Sequence, residues 1–172
     1  MSATLKTKRI DPRAYNALAE ALAVIYWNKK PWARYLRGVL RDVPEILSGL
    51  DFYGDTKRET AGRIVDRLMA DEARYQAVTI ALMLSVANMD SFPNLEGQDD
   101  STQMLKQARD AVAELHKWTK WHQAIIDEHE RYAADIAEAS EKASANRVFS
   151  EAIRKLKDQF LAMHGNTREP SS

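Results

Sequence analysis

Between Ser101 and Gly165 the chain contains no proline and no glycine. Sixty-three consecutive residues without a breaker (102–164) can be accommodated by one or two very long helices, up to about 95 Å at 1.5 Å per residue if unbroken. Leu105, Ala108, Val112, Leu115, Thr119, His122, Ile126, His129, Ala133 and Ile136 recur at spacings of three and four, a heptad seam. Through "ADIAEASEKASANR" the seam dissolves into alanine and charge. It restarts at Phe149, Ile153, Leu156 and Phe160 in a shifted phase, as in a stalk whose two ends pack against different surfaces.

Upstream the pattern is also helical. Asp11 followed by Pro12 reads as an N-cap with proline at the first helical position. Tyr15, Leu18, Leu22, Ile25 and Tyr26 then share one face. A second helix is expected from Pro31, with Trp32, Tyr35, Leu36, Val39 and Leu40, and a short third piece from Pro44. Asp55 is the expected cap of a fourth helix through Ile64, Val65, Leu68 and Met69, and a fifth opens near Asp71. "NMDSFPNLEGQDDS" is the clear loop, with Phe92 and Leu95 expected to pin it to the core. No strand-like alternation of useful length occurs. The reading is an all-α fold: a compact helical bundle followed by a long helix, helical hairpin or stalk. Its expected segments are a flexible N-terminus (1–10), the bundle (11–88), a loop (89–100), the long segment (101–164) and a flexible tail (165–172).

Composition narrows the chemistry. At 172 residues the chain has the size of one domain and can bury roughly 70% of its unfolded surface. It has no cysteine, which excludes disulfides, zinc ribbons and thiol catalysis. No apolar run approaches a membrane span and no signal-peptide core is present, so a cytoplasmic location is expected. The net charge is zero but unevenly spread. Residues 1–70 carry 13 Lys and Arg against 8 Asp and Glu, a balance of +5, and residues 71–100 carry 1 against 6, a balance of −5. A basic front and an acidic middle suit pairing with another protein or with a second copy.

Trp27 to Arg41 holds two tryptophans and five basic residues. On a helix, Arg34, Arg37 and Arg41 fall at i, i+3 and i+7, with Lys29 and Lys30 at the preceding turn. Such a row can contact phosphates, with rings nearby to stack bases, while aromatic residues at helical spacing also close helix junctions. Trp27, Lys29, Lys30, Trp32, Arg34 and Arg37 are the candidate partner-binding residues. His116, His122 and His129 stand six and seven apart, and the last two, on one face, lie about 10.5 Å apart along the axis, too far to share a metal ion. At seam positions they are expected to hydrogen-bond a neighbouring helix instead. Arg109 and His116, with Asp110 after the arginine, give R-x6-H, which is similar to the motif of HEPN ribonucleases, where Arg and His from paired helices form a composite site. No phosphate-loop, nucleophile-elbow or dinucleotide motif occurs, so no cofactor is expected.

The ordered strings "ALAEALAVIYWNKKPWARYLRGVL", "EILSGLDFYGDTKRETAGRIVDRLM", "ARYQ" followed by "NMDSFPNLE", "ARDAVAEL" and "FSEAIRKLKDQFLAMHG" resemble the helical N-terminal domain of AbiJ-type bacterial defence proteins. The resemblance runs from about Tyr15 to His164, and "IYWNKKPWARYLR" and "LDFYGDTKR" are its most specific parts. In such proteins this region precedes a restriction-endonuclease-like domain, which would begin beyond Pro170. The catalytic carboxylates and lysine of that domain therefore have no matching positions here. The resemblance implies an antiviral-defence, restriction-associated role, abortive infection included. With the physical reading it gives one expectation: a non-catalytic helical interaction or sensor module that holds or regulates a nuclease effector. Its partners would be a protein or fused effector, a second copy, or nucleic acid, and not a membrane. The alternatives are a nucleic-acid-binding module using 27–41 and a HEPN-like ribonuclease.

Overall fold

The computed structural model describes residues 8–165. Among these there are seven α-helices and no strand: α1 (Pro12–Val24), α2 (Lys29–Val39), α3 (Lys57–Ala70), α4 (Glu72–Ala87), the single turn α5 (Pro93–Glu96), α6 (Ser101–Trp121) and α7 (Gln123–Gly165). A short 3-10 turn, Pro44–Ile46, follows α2. The all-α reading holds. None of these helices is long and apolar enough to cross a membrane.

The chain divides into two compact units at Ile126 and Asp127. In the first, α1 is the central element and packs on α3, α6 and α4. Its sequence, PRAYNALAEALAV, supplies both helix propensity and small faces: Ala14, Ala21 and Ala23 are buried beside Tyr15, Leu18 and Leu22. The Asp11 carboxylate caps the helix by accepting from the Arg13 amide, with Pro12 at the first turn. The α3 cap is Thr56 rather than Asp55. Thr56 accepts from the Glu59 amide, while Asp55 pairs with Arg63. A single residue, Asp71, turns α3 into α4, because its carbonyl takes the amides of both Arg74 and Tyr75.

Two expected boundaries move. The bundle was expected to end at residue 88, yet α6 buries Ala108, Val112, Leu115 and Thr119 in the same core as α1 and α4, and Ile125 and Ile126 join them. The heptad seam is thus a core face up to Ile126. The loop is pinned as expected, with Phe92 and Leu95 buried. At the front, residues 8–10 are held rather than frayed. Ile10 is buried and its amide donates to the Glu72 carboxylate, while Gln76 Nε2 donates to the Lys8 carbonyl at 2.9 Å. The rest of the two expected flexible segments, apart from Gly165, lies outside the described residues.

The long run is interrupted at His122, without proline or glycine. At that point the imidazole bonds two elements. Nδ1 donates to the Trp118 carbonyl at 2.9 Å, and Nε2 accepts the Asp11 amide at 2.9 Å. The Trp118 carbonyl also accepts the His122 amide at 3.0 Å, and the His122 carbonyl the Ile126 amide at 3.1 Å. The same ring anchors the start of α1, and the Arg13 guanidinium lies 4.9 Å over the Trp118 ring beside it. His122 therefore bonds a neighbouring element, as its seam position suggested. In the second unit α7 continues to Gly165, with Lys142 paired to Glu138 one turn earlier, and every side chain from Glu130 to Met163 is exposed.

The side-chain hydrogen bond from Arg13 is the main reason the Asp11 carboxyl is held down at about 2, from an ordinary 3.8; the Arg13 amide, the Arg13 charge and His122 add to it. The native state thus resists protonation that the unfolded chain accepts. The stabilisation is complete above 3.8 and drains as the pH falls towards about 2. Asp11→Asn keeps a capping oxygen but removes this titration. Melting curves across that window are expected to show a shallower acid decline for Asp11→Asn than for the parent protein.

Candidate docking surface at the α1–α2 junction

The junction between α1 and α2 is built around Trp32. Its indole is fully buried, donates Nε1–H to the Leu22 carbonyl at 2.9 Å, and meets Phe52 edge-on at 5.9 Å. That hydrogen bond satisfies a carbonyl in the last turn of α1, where helices leave acceptors unmatched. Ala33, Leu36 and Leu40 continue the buried face. Tyr35 packs on Tyr26 at 5.6 Å and shares a 2.7 Å hydrogen bond with Ser85 of α4. Burial raises both phenol pKa values above the ordinary tyrosine value. Trp32 is thus a correction to the candidate set: its ring closes the core and has no face to offer a partner.

Lys29 is a second correction. Its ammonium donates to the carbonyls of Tyr53 (3.1 Å) and Asp55 (2.7 Å), tying α2 to the segment before α3. Lys57, at the start of α3, reaches back the other way to the carbonyls of Tyr26 and Trp27. Burial, then the charge of nearby Lys29, pushes the Lys57 ammonium pKa below the usual lysine value. From the α5 turn, Asn94 Oδ1 accepts the amides of Trp27 (2.6 Å) and Asn28 (2.8 Å). Two elements distant in sequence, α3 and α5, therefore hold the corner at Trp27 and Asn28.

What remains outside is specific. Trp27 is 47% exposed, with Lys57 Nζ 5.4 Å from its ring centroid. Lys30, Arg34 and Arg37 are exposed along the outer side of α2, and Arg41 follows just beyond it. The Arg37 guanidinium lies 5.4 Å over the Phe52 ring. The structure thus brings four of the six candidate residues, Trp27, Lys30, Arg34 and Arg37, to the outside of one rigid corner. Lys57, Asn94 and Phe52 carry no local sequence signal, because each matters only through a contact made across the fold. The inward face of α2 was legible: Trp32, Leu36 and Leu40 stand at i, i+4 and i+8.

A second constellation lies on α6. Arg109 and His116 line one open groove of about 380 Å³ together with Asp90, Met89, Phe92 and Val112. The seven-residue spacing puts both side chains on the same side of the helix, and the Asn88–Ser101 loop brings Asp90 to them. Comparison of the chain with protein-family models, with curated proteins and with solved structures gave no match.

Asn94→Ala leaves the Trp27 and Asn28 amides without their acceptor. Unmet or newly solvated donors at this corner are expected to cost about 1–2 kcal/mol. Thermal denaturation of the variant should show a lowered melting temperature with helical content retained at low temperature.

Proposed function

We propose that this chain is a helical interaction module of a bacterial antiviral-defence system of restriction-like type, holding or regulating a nuclease effector through contact. The observation that carries the reading is the division of labour on α2. Its inner face is buried through Trp32, Ala33 and Leu36, while Trp27, Lys30, Arg34 and Arg37 stand outside on a backbone held by those contacts. A preorganised cationic and aromatic edge loses little freedom on binding, and aromatic and arginine side chains dominate the energetics of protein contacts. The resemblance to AbiJ-type N-terminal domains supplies the defence setting, and the acidic residues 71–100 make self-recognition of opposite charge available as well. In this reading the site is a complementary surface for an acidic protein partner.

The test uses Lys30→Glu combined with Arg34→Glu, two exposed positions on the outer side of α2. Bacteria producing the protein with the reading frames adjacent to its gene are expected to resist phage, and the double variant to lose that protection at an unchanged melting temperature. No protection by the parent protein would sink the defence role; protection kept in full by the double variant would sink the surface. Retention on DNA or RNA that falls steeply with salt and vanishes in the double variant would instead assign the edge to nucleic acid.

A second reading is favoured by one observation, the shared groove of Arg109, His116 and Asp90. A HEPN-like ribonuclease would use His116 for proton transfer and Arg109 for the phosphate. Purified protein would then cleave single-stranded RNA, and His116→Ala would slow cleavage by about 10²–10⁴-fold. Intact RNA after prolonged incubation with the parent protein would remove this reading.

A further inference from the structure

The second unit carries an apolar row that the docking corner does not involve. Phe149, Ile153, Leu156, Phe160 and Met163 follow one another at steps of 4, 3, 4 and 3 along α7. Their exposures are 68%, 40%, 61%, 61% and 72%. The mean step is 3.5 residues. A straight helix of 3.6 residues per turn lets such a row drift by about 20° per heptad, so the row stays aligned only when two helices wind round each other. An apolar strip meant for a flat lipid surface has no need of this spacing. The opposite side of the helix also carries Glu151 and Asp158 among Arg147, Arg154 and Lys155, a mixed face ill suited to an anionic membrane.

Three features select a second copy of this chain as the occupant. The first is area. Side chains of this size, at these exposures, offer about 600 Å² per helix and about 1,200 Å² across a symmetric pair, which clears the roughly 1,000 Å² that a specific interface needs. The second is register. Asn146 stands seven residues before Ile153, at the same heptad position, with Ile153 there and Leu156 at the other core position. A lone asparagine in that place pairs with its own counterpart in a parallel two-stranded coiled coil. In an antiparallel pair its amide would face an apolar layer with no partner. The third is the flanks. Ser150, Ala152, Lys157 and Gln159 border the row, so the pair would meet no ladder of like charges.

We infer that residues 146–163 of two copies of this chain pair as a parallel, in-register coiled coil. In proteins most helical stability comes from packing of an apolar face and not from propensity, and the alanine-rich stretch before Asn146 adds propensity but no packing. Pairing supplies what a single α7 lacks.

The chain has no cysteine, so Asn146→Cys places one thiol per copy at the proposed layer. Light scattering on the full chain is expected to give twice the 19.6 kDa monomer mass, returning to one copy on dilution. Mild oxidation should link the Asn146→Cys protein nearly completely into dimers. Ile153→Asp with Leu156→Asp should give a monomer whose residues 8–126 melt as before. A parent protein that stays monomeric at every concentration overturns the inference, whether or not it sediments with phosphatidylglycerol vesicles. So does a dimer that survives the double aspartate variant, and so does a dimer whose Asn146→Cys form does not cross-link. None of these results depends on Arg34 or Arg37, so the docking corner stands or falls separately.

Discussion

The burial of α1 on several sides at once governs the first unit. A helix enclosed by three others must present small side chains where neighbours approach and large ones where gaps remain. Ala14, Ala21 and Ala23 do the first, and Tyr15, Leu18 and Leu22 the second. The arrangement brings one polar consequence with it. The Tyr15 hydroxyl, buried against α4, needs an acceptor and donates to Glu72 at 2.8 Å. Burial and that carboxylate together drive the phenol pKa far above its ordinary value, so the hydroxyl remains a donor. The same carboxylate takes the Ile10 amide and Gln76 Nε2. Glu72 thereby ties the entry of α1, its core tyrosine and the first turn of α4 into one network, where a missing member would leave buried partners unmatched.

From that centre the outer parts are fixed by cations that reach carbonyls. Arg67 donates to Ile46 and Ser48 across the 3-10 turn, Lys29 to Tyr53 and Asp55, and Lys57 to Tyr26 and Trp27. Gly49, at φ +75°, lets the chain leave the 3-10 turn through the left-handed region that a side chain would disfavour. A sequence rich in Lys and Arg over its first 70 residues invites a nucleic-acid reading. Much of that charge is instead consumed inside the domain, on backbone acceptors and on Asp11, Glu20 and Asp55. Among the described residues, Lys30, Arg34 and Arg37 on the outer side of α2, with Arg41 just beyond it, stay exposed instead. Their availability follows from helical phase, not from overall charge.

Local periodicity was legible and partnership was not. The all-α class, the Asp11 cap, the Pro44 turn and the pinned Phe92 and Leu95 all follow from short-range chemistry that a sequence states openly. The boundary at residue 88 was misplaced because the Ala108–Ile126 seam declares an apolar face without declaring what covers it. A core and a coiled coil use the same three-and-four spacing. Thr56 displaced Asp55 as a cap because both residue types cap well and the choice depends on where α3 must begin for Ile64 and Leu68 to face inward. In the candidate surface, Trp32 and Lys29 were grouped with their neighbours by composition. Phase assigns Trp32 to the core, and a contact 26 residues away claims Lys29.

The break at His122 joins these observations. Without it, the 63 residues that follow Ser101 could form a single rod whose apolar positions would have to serve both a globular core and whatever meets Phe149 and Leu156. The break falls where an imidazole bonds a carbonyl behind it and an amide of α1, four residues before the boundary of the first unit, and the core closes with Ile125 and Ile126 just after it. The seam before the break keeps positions suited to packing against α1 and α4. The row after Asn146 is then released to follow the stricter 3.5-residue spacing. Residues 102–164 have no proline or glycine to punctuate them, and the shifted phase of the second seam is the trace that this division leaves in the sequence.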